Sequence, residues 1–308
     1  MTKTIIHFLL RLLVGATFIF SGASKLLFIE PFELSFVELG FGWYITPFLA
    51  RFLIASEFIL GLALIFNVKT KLTLKFIIGM LVFFTFYLLF LWIKTNNSAD
   101  CGCFGEYLKM NPLESIVKNI VLAIPTIYLL YKNNPFKWKF EKLLIIMILV
   151  VSLFTSFAVN YIEMSKFNVI NIDNSNYKLE VEKLGDFVYN NDTIKLNEGK
   201  KVVCFFSLKC KYCKLASKKL SIIRKDLDTE IPVYYILGGD VDLLPKWWEE
   251  TASYPFPYLN ILPGNDKQFF SLSGGALPAI YFLNDGIVWK KVDYERLHQA
   301  DFEEFLEI

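Results

Sequence analysis

Lys201-Val202-Val203-Cys204-Phe205-Phe206-Ser207, then Cys210-Lys211-Tyr212-Cys213, then Lys214-Leu215-Ala216-Ser217-Lys218-Lys219-Leu220-Ser221-Ile222-Ile223: this stretch decides the fold of the C-terminal half. The first part is an apolar run of β-branched and aromatic residues, the pattern of a buried strand. The last part carries apolar residues at helical spacing. A Cys-x-x-Cys at a strand-to-helix junction sets its first sulfur at a helix N-terminus. Unpaired backbone N–H groups and the helix dipole favour the thiolate there. Lys209 and Lys211 add positive charge beside it. Because the thiolate is the attacking species in disulfide exchange, this is where such chemistry would sit.

A bare Cys pair is also consistent with half a zinc site or with two incidental thiols. Zinc needs about four ligands, whereas the only histidines are His7 and His298 and no second Cys pair follows in this half. Downstream comes Gly274-Gly275-Ala276-Leu277-Pro278-Ala279-Ile280-Tyr281-Phe282-Leu283-Asn284-Asp285-Gly286, which reads as proline, strand and Asx-Gly turn. The order strand, CxxC, helix, then x-Pro, strand, turn, strand resembles the thioredoxin family over residues 178–308. The resemblance implies that Cys210 is the nucleophile, Cys213 the resolving thiol and Pro278 a cis-proline facing the dithiol. Two features depart from that family. Many members carry Trp before the first Cys and Gly-Pro between the pair, where Lys209 and Lys211-Tyr212 stand here. The buried acid of many members, six residues upstream, aligns with Cys204, which reads as a packed core thiol.

Composition points to a membrane. The chain has 308 residues, 55% hydrophobic, with 31 Phe, a content above the soluble norm. Its net charge of +2 is too small to suggest nucleic acid as a partner. Five apolar runs are long enough to span a bilayer, at residues 5–27, 46–66, 72–93, 113–131 and 142–162. Asn67-Val68-Lys69-Thr70-Lys71 alone separates the second from the third, so those two form a tight hairpin. The first run is too long for a signal-peptide core and is interrupted by Arg11, so it reads as a retained helix.

Loop charges set the expected orientation. Connections 67–71 and 132–142 hold Lys69, Lys71, Lys132, Lys137, Lys139 and Lys142. Connections 28–45 and 94–112 hold only Lys94 and Lys109 against Glu30, Glu33, Glu38, Asp100 and Glu106. The first set is therefore expected in the cytoplasm, with the N-terminus. An odd number of spans then puts the C-terminal domain outside, in the periplasm of a cell with two membranes. Lys and Trp between the fourth and fifth spans read as ordinary interface anchors.

On the outer side of that topology lies Asp100-Cys101-Gly102-Cys103-Phe104-Gly105. A C-x-C pair can close a small strained disulfide, and strained disulfides exchange readily; two unpaired structural cysteines is the plainer alternative. The spans before residue 131 resemble the DoxX-like membrane proteins, especially the MauE branch. The resemblance rests on Arg11-Leu12-Leu13-Val14-Gly15, Phe20-Ser21-Gly22-Ala23-Ser24-Lys25-Leu26, Ser56-Glu57 with Gly61, and the Cys101-Gly102-Cys103-Phe104-Gly105 motif. It implies a membrane redox partner for a thioredoxin-like protein of the TlpA/MauD kind, here fused on one chain. Arg11, Arg51 and Glu57 lie within apolar spans, where a charge costs on the order of 3 kcal/mol or more and marks a pathway, a site or a pair. Glu57 is expected to hold a proton, to pair with Arg11 or Arg51, or to contact a quinone head group. Lys25 and Glu30, near a helix end, are expected to snorkel to the interface.

These readings assemble into a multi-pass helical membrane bundle, four helices plus a tethering fifth, followed by an α/β thioredoxin-like domain. The boundaries are 1–133, 134–163 for the tether, 164–178 for a linker and 179–308. The expected activity is thiol–disulfide exchange between exported cysteine-containing proteins, the Cys210/Cys213 dithiol and the Cys101/Cys103 dithiol, at the inner membrane. No cysteine lies in an inner loop or within a span, which favours the oxidative direction with a quinone as acceptor and no metal or covalently bound cofactor. A reductive relay, a client-holding factor without turnover, and a small-molecule transporter are the rival readings.

Overall fold

The computed structural model describes residues 2–95, 110–132, 138–160, 162, 177–184, 187–190, 192–227, 229–262 and 266–307. The chain divides into two units, Met1–Ile162 and Glu163–Ile308.

The first unit is helical: α1 (Thr2–Leu27), α2 (Ile29–Glu38), α3 (Thr46–Ile65), α4 (Thr70–Thr95), α5 (Pro112–Lys132) and α6 (Glu141–Ala158). Five of these are long and apolar enough to cross a bilayer, α2 being the exception. They carry apolar residues all round. On α4, Leu74, Ile77, Leu81 and Leu88 are buried within the unit while Phe76, Phe83, Phe86 and Phe90 face outward. That outward surface needs lipid to cover it.

Small residues bring α1 and α3 together. A Cβ on Gly61 would stand 2.7 Å from the carbonyl oxygen of Gly15, and one on Gly15 would stand 2.8 Å from that of Gly61. Only glycine at both positions lets the two backbones touch, which is how helices pack tightly without a hydrophobic driving force. The short α3–α4 connection ends α3 with Asn67 in the left-handed region, at φ 56°. Val68 N–H reaches back to Ala63 O at 2.8 Å and Asn67 N–H to Leu64 O at 3.1 Å, the paired bonds of a Schellman end.

Helix α2 stands where the sequence reads only as a connection. Its buried Ile29, Phe32, Leu34 and Val37 face the bundle, and Phe32 and Ile29 pack with Leu26, Ala50 and Ile54. Trp138, read as a simple interface anchor, also has a partner in the chain: its Nε1–H donates to Phe66 O at 2.8 Å, satisfying a carbonyl at the end of α3.

The second unit is a mixed α/β domain with the thioredoxin-like arrangement. A hairpin of β1 (Phe187–Tyr189) and β2 (Asp192–Ile194) precedes β3 (Lys200–Ser207), α7 (Lys211–Leu227), β4 (Val233–Gly238), α8 (Leu244–Thr251), β5 (Tyr258–Ile261), α9 (Asp266–Ser273), β6 (Ala279–Asn284), β7 (Ile287–Val292) and α10 (Gln299–Glu307). The five-stranded sheet runs β5-β4-β3-β6-β7. Strands β3, β4 and β5 are parallel, and β6 and β7 are antiparallel to their neighbours. Residues 202–206 of β3 are all buried because both sheet faces are covered. Val203, Phe205 and Tyr281 pack with Phe269 of α9 and with Leu179 and Phe187. On the other face Phe206 meets Trp247 of α8, and Phe282 meets Phe302 and Phe305 of α10. The β6–β7 turn places Asp285 and Gly286 at φ 49° and 76°, the positive pair a tight hairpin requires.

Candidate functional site

The chain leaves β3 at Ser207 and enters α7 at Lys211, so the intervening turn is what sets Cys210. Leu208 N–H donates to Gly238 O at 3.0 Å, tying the turn to the end of β4, and Cys210 N–H donates to Ser207 O at 3.0 Å. Lys214 N–H donates to Cys210 O at 3.2 Å, which makes Cys210 the N-cap of α7. Its sulfur does what a capping oxygen does: Sγ accepts the N–H of Cys213 at 3.3 Å.

This geometry separates the two thiols. Cys210 is half-buried, whereas Cys213 is fully buried, and both are free thiols. The Cys213 thiol donates toward Cys210, and this bond more than any other lowers the Cys210 pKa, to about 6. Burial opposes that shift, while the N–H groups of Cys213 and Tyr212 and the Lys214 ammonium support it. Cys213 is pushed the other way, first by burial and then by its bond to Cys210. The arrangement gives one nucleophilic thiolate and one proton-holding thiol, the division of labour that disulfide exchange needs.

Lys214, one turn into α7, is a cation that lowers the Cys210 pKa. Lys214 is itself paired with Glu250 of α8. Tyr212, between the cysteines, stacks on Tyr294 with ring centroids 4.9 Å apart. Lys219 Nζ donates to Tyr294 O at 3.1 Å, which fastens that ring's backbone to α7. The Leu277–Pro278 peptide bond is cis. Phe205 stands opposite Ala279 in the β3–β6 register, so Pro278 falls opposite Phe206, at the sheet end from which the chain runs to Cys210.

Cys204 lies mid-strand, fully buried, with Ile280 and Tyr235 as its register partners. Burial raises its pKa. Just before β5, Phe256 packs against Tyr235 and Tyr254 lies under the Arg224 guanidinium at 3.7 Å. Cys101 and Cys103 lie outside the described residues.

Iodoacetamide alkylation of the reduced chain should report this asymmetry. The Cys210 rate should rise with pH with a midpoint near 6, since only the thiolate reacts, and Cys213 should stay unmodified until the domain unfolds. The same shift links to stability. A thiol whose folded pKa of about 6 lies below an unfolded value of about 8.5 stabilises the fold fully above the latter, and the gain disappears as pH falls through 6.

In the membrane unit the structure corrects the expected pairings. Glu57 pairs with neither Arg11 nor Arg51. Its partner is Lys25, two residues before the end of α1, and this lysine is 3% exposed rather than snorkelling outward. Lys25 Nζ also donates to Ser21 Oγ at 3.0 Å, and Ser21 Oγ donates to Glu57 Oε1 at 3.2 Å. Glu57 Oε2 is buried without a hydrogen-bond partner among the described residues. Arg51 instead holds Glu33 of α2 at 2.5 Å, and its Nε donates to Asn160 O at 2.7 Å just past α6. Arg11 Nε and Nη1 are buried and make no hydrogen bond among the described residues. Sequence reasoning missed Lys25 as a site residue because its place near a helix end suggested the interface. The signal available was Ser21 four residues earlier, on the same helix face.

Residues 3–132 match the family model of the methylamine utilisation protein MauE. The chain is also 25% identical to Protein TlpB of Flavobacterium psychrophilum, an alignment that covers 96% of each protein. No solved structure matches it. A MauE-like membrane region is thus joined on one chain to a thioredoxin-like domain.

Proposed function

We propose, from that union of a MauE-like membrane region with a thioredoxin-like domain, that this protein is a membrane-bound thiol–disulfide oxidoreductase working on exported cysteine-containing proteins. The observation that carries the reading is the thiol asymmetry at the head of α7, with Cys210 at about 6 beside a buried, protonated Cys213. A client thiolate attacks the Cys210 sulfur of the Cys210–Cys213 disulfide and expels Cys213, which takes up a proton. The client's second thiol then resolves the mixed disulfide and releases Cys210 as a thiolate.

The direction follows from where sulfur is found in the sequence. Positive loop charge puts connections 67–71 and 132–142 in the cytoplasm and the second unit outside. Cys101 and Cys103 then share the outer side with Cys210, and no thiol is placed to collect electrons from the cytoplasm. The oxidative direction is therefore the one supported. Two electrons and two protons leave a client dithiol and pass to the Cys210–Cys213 disulfide. They pass next to the Cys101–Cys103 disulfide, and finally to a quinone, which supplies a two-electron, two-proton acceptor soluble in the membrane.

The in-cell redox state of Cys210 and Cys213 tests this. Removing both membrane thiols, by Cys101→Ser and Cys103→Ser, should shift the Cys210–Cys213 pair toward the reduced form. A shift toward the oxidised form would mean a reductive relay, and an unchanged state would mean that the two dithiols do not communicate.

A further inference from the structure

A cavity of about 120 Å³ opens inside the membrane unit among α1, α2, α3, α4 and α5. Phe18, Phe32, Phe36 and Phe84 make up much of its wall, and Lys25 and Glu57 form part of it. Phe41 and Phe83 also line it and are exposed, 45% and 61%, so the cavity is continuous with the outside of the helical unit. Its volume is close to that of an apolar cavity of about 150 Å³ that takes up benzene. It accepts one six-membered ring and leaves anything longer to follow the mouth.

The polar wall is unusual for such a place. Two opposite charges buried among aromatic rings carry a desolvation cost that an apolar pair would not. Their hydrogen bonding is also incomplete. Among the described residues, Glu57 Oε1 and Ser21 Oγ take two of the three Lys25 N–H groups, while Glu57 Oε2 has no partner. The Lys25 ammonium lies 5.1 Å from the Phe32 ring centroid and 5.3 Å from that of Phe84, both walls of the cavity. A donor and an acceptor thus stand side by side at the edge of a ring-sized aromatic slot. An acyl chain would fill the slot and leave Oε2 unsatisfied, at the cost of an unmade buried bond.

We infer that this cavity is the binding site for the ring of a lipid-soluble quinone, with Lys25 and Glu57 as its polar recognition pair. The remaining Lys25 N–H donates to a ring carbonyl oxygen of the oxidised form, and Glu57 Oε2 accepts from a ring hydroxyl of the reduced form. The inference rests on the oxidative reading above. In that reading, two thiols become one disulfide while a quinone takes both electrons and both protons to become a hydroquinone.

The test is equilibrium binding of decylubiquinone and of menadione to the full-length chain in lipid nanodiscs, read by quenching of tryptophan fluorescence. A photoreactive azidoquinone, mapped by peptide mass spectrometry, locates the site independently. Binding should saturate, and the label should fall on cavity-lining peptides of the bundle. Glu57→Gln and Lys25→Met should each weaken binding by about tenfold or more, the loss of one good polar contact. Ser35→Phe, which fills the cavity and leaves the ion pair in place, should weaken it as much. Ser35→Phe also decides the matter if the ion-pair variants fail to fold. Unsaturable binding, a label elsewhere, or wild-type affinity in Ser35→Phe overturns the site and leaves Lys25–Glu57 as a structural pair. The same titration on the Cys101→Ser/Cys103→Ser chain separates the two claims. Quinone binding there, with an unchanged Cys210–Cys213 redox state in cells, keeps the site and rejects the relay. Absent binding beside a shifted redox state rejects the site alone.

Discussion

A chain carrying Cys213→Ser together with Cys101→Ser or Cys103→Ser, once treated with a small disulfide such as oxidised glutathione that leaves as two thiols, should accumulate an intrachain disulfide between Cys210 and the remaining membrane thiol. Exchange between two dithiols passes through a mixed disulfide, which the second thiol of either pair normally resolves. Cys213 is the resolving thiol on one side, and one member of the C-x-C pair resolves on the other. With both resolving thiols gone the bond has no intramolecular exit. The linker does not forbid it. A fifteen-residue chain, the length of the 164–178 linker, spans roughly 50 Å when fully extended, at 3.3–3.6 Å per residue, enough for a small domain to turn its active face to the membrane. The closed chain should migrate differently on a non-reducing gel and return to normal with reductant. Only one of the two double variants should trap well, and that one identifies the membrane thiol that Cys210 meets. A relay is rejected if neither variant gives a reducible crosslink.

Cys210→Ser should lower thiol–disulfide exchange by the full-length protein by about 10³-fold or more, the scale on which loss of a nucleophile is felt. A serine hydroxyl at the same N-cap still satisfies the Cys213 N–H, so the fold is kept while the attacking atom is lost. Cys204→Ala is the control. That thiol is fully buried and its pKa is raised by burial, so its removal should leave the exchange rate of the same order and register as a small packing loss. Dithiothreitol oxidation and insulin reduction measure both variants. Equal client binding by wild type and Cys210→Ser, with no exchange by either, would favour a client-holding factor. The position that carries a buried acid in many thioredoxins but holds Cys204 here, and Lys211-Tyr212 between the cysteines, are the features that lean that way.

What the sequence by itself determined is what depends on neighbours along the chain. The five spans were legible because bilayer thickness asks only for some twenty consecutive apolar residues. The strand, CxxC and helix were legible because a β-branched run and a 3.6-residue period change over at the cysteines. The Pro278 strand and the Asp285-Gly286 turn were legible for the same reason: both are local chemistry. Helix α2 was not, because ten residues with three acids do not announce themselves beside a membrane span. They become a helix by burying Ile29, Phe32, Leu34 and Val37 against it.

Tertiary structure alone decided the pairing of charges. Lys25 and Glu57 are thirty-two residues apart, and they meet because Gly15 and Gly61 let α1 and α3 touch at one rotation of each helix. Any bulkier residue there would change the separation, and no spacing rule along the chain reports it. Arg51 was drawn instead to Glu33, which α2 presents to α3. The acidity of Cys210 belongs in the same class. The flanking lysines suggested the right direction, but the bond from the Cys213 thiol is the main cause, with backbone N–H groups and Lys214 adding to it. An electrostatic effect depends on distance and burial in three dimensions, and adjacency in sequence fixes neither.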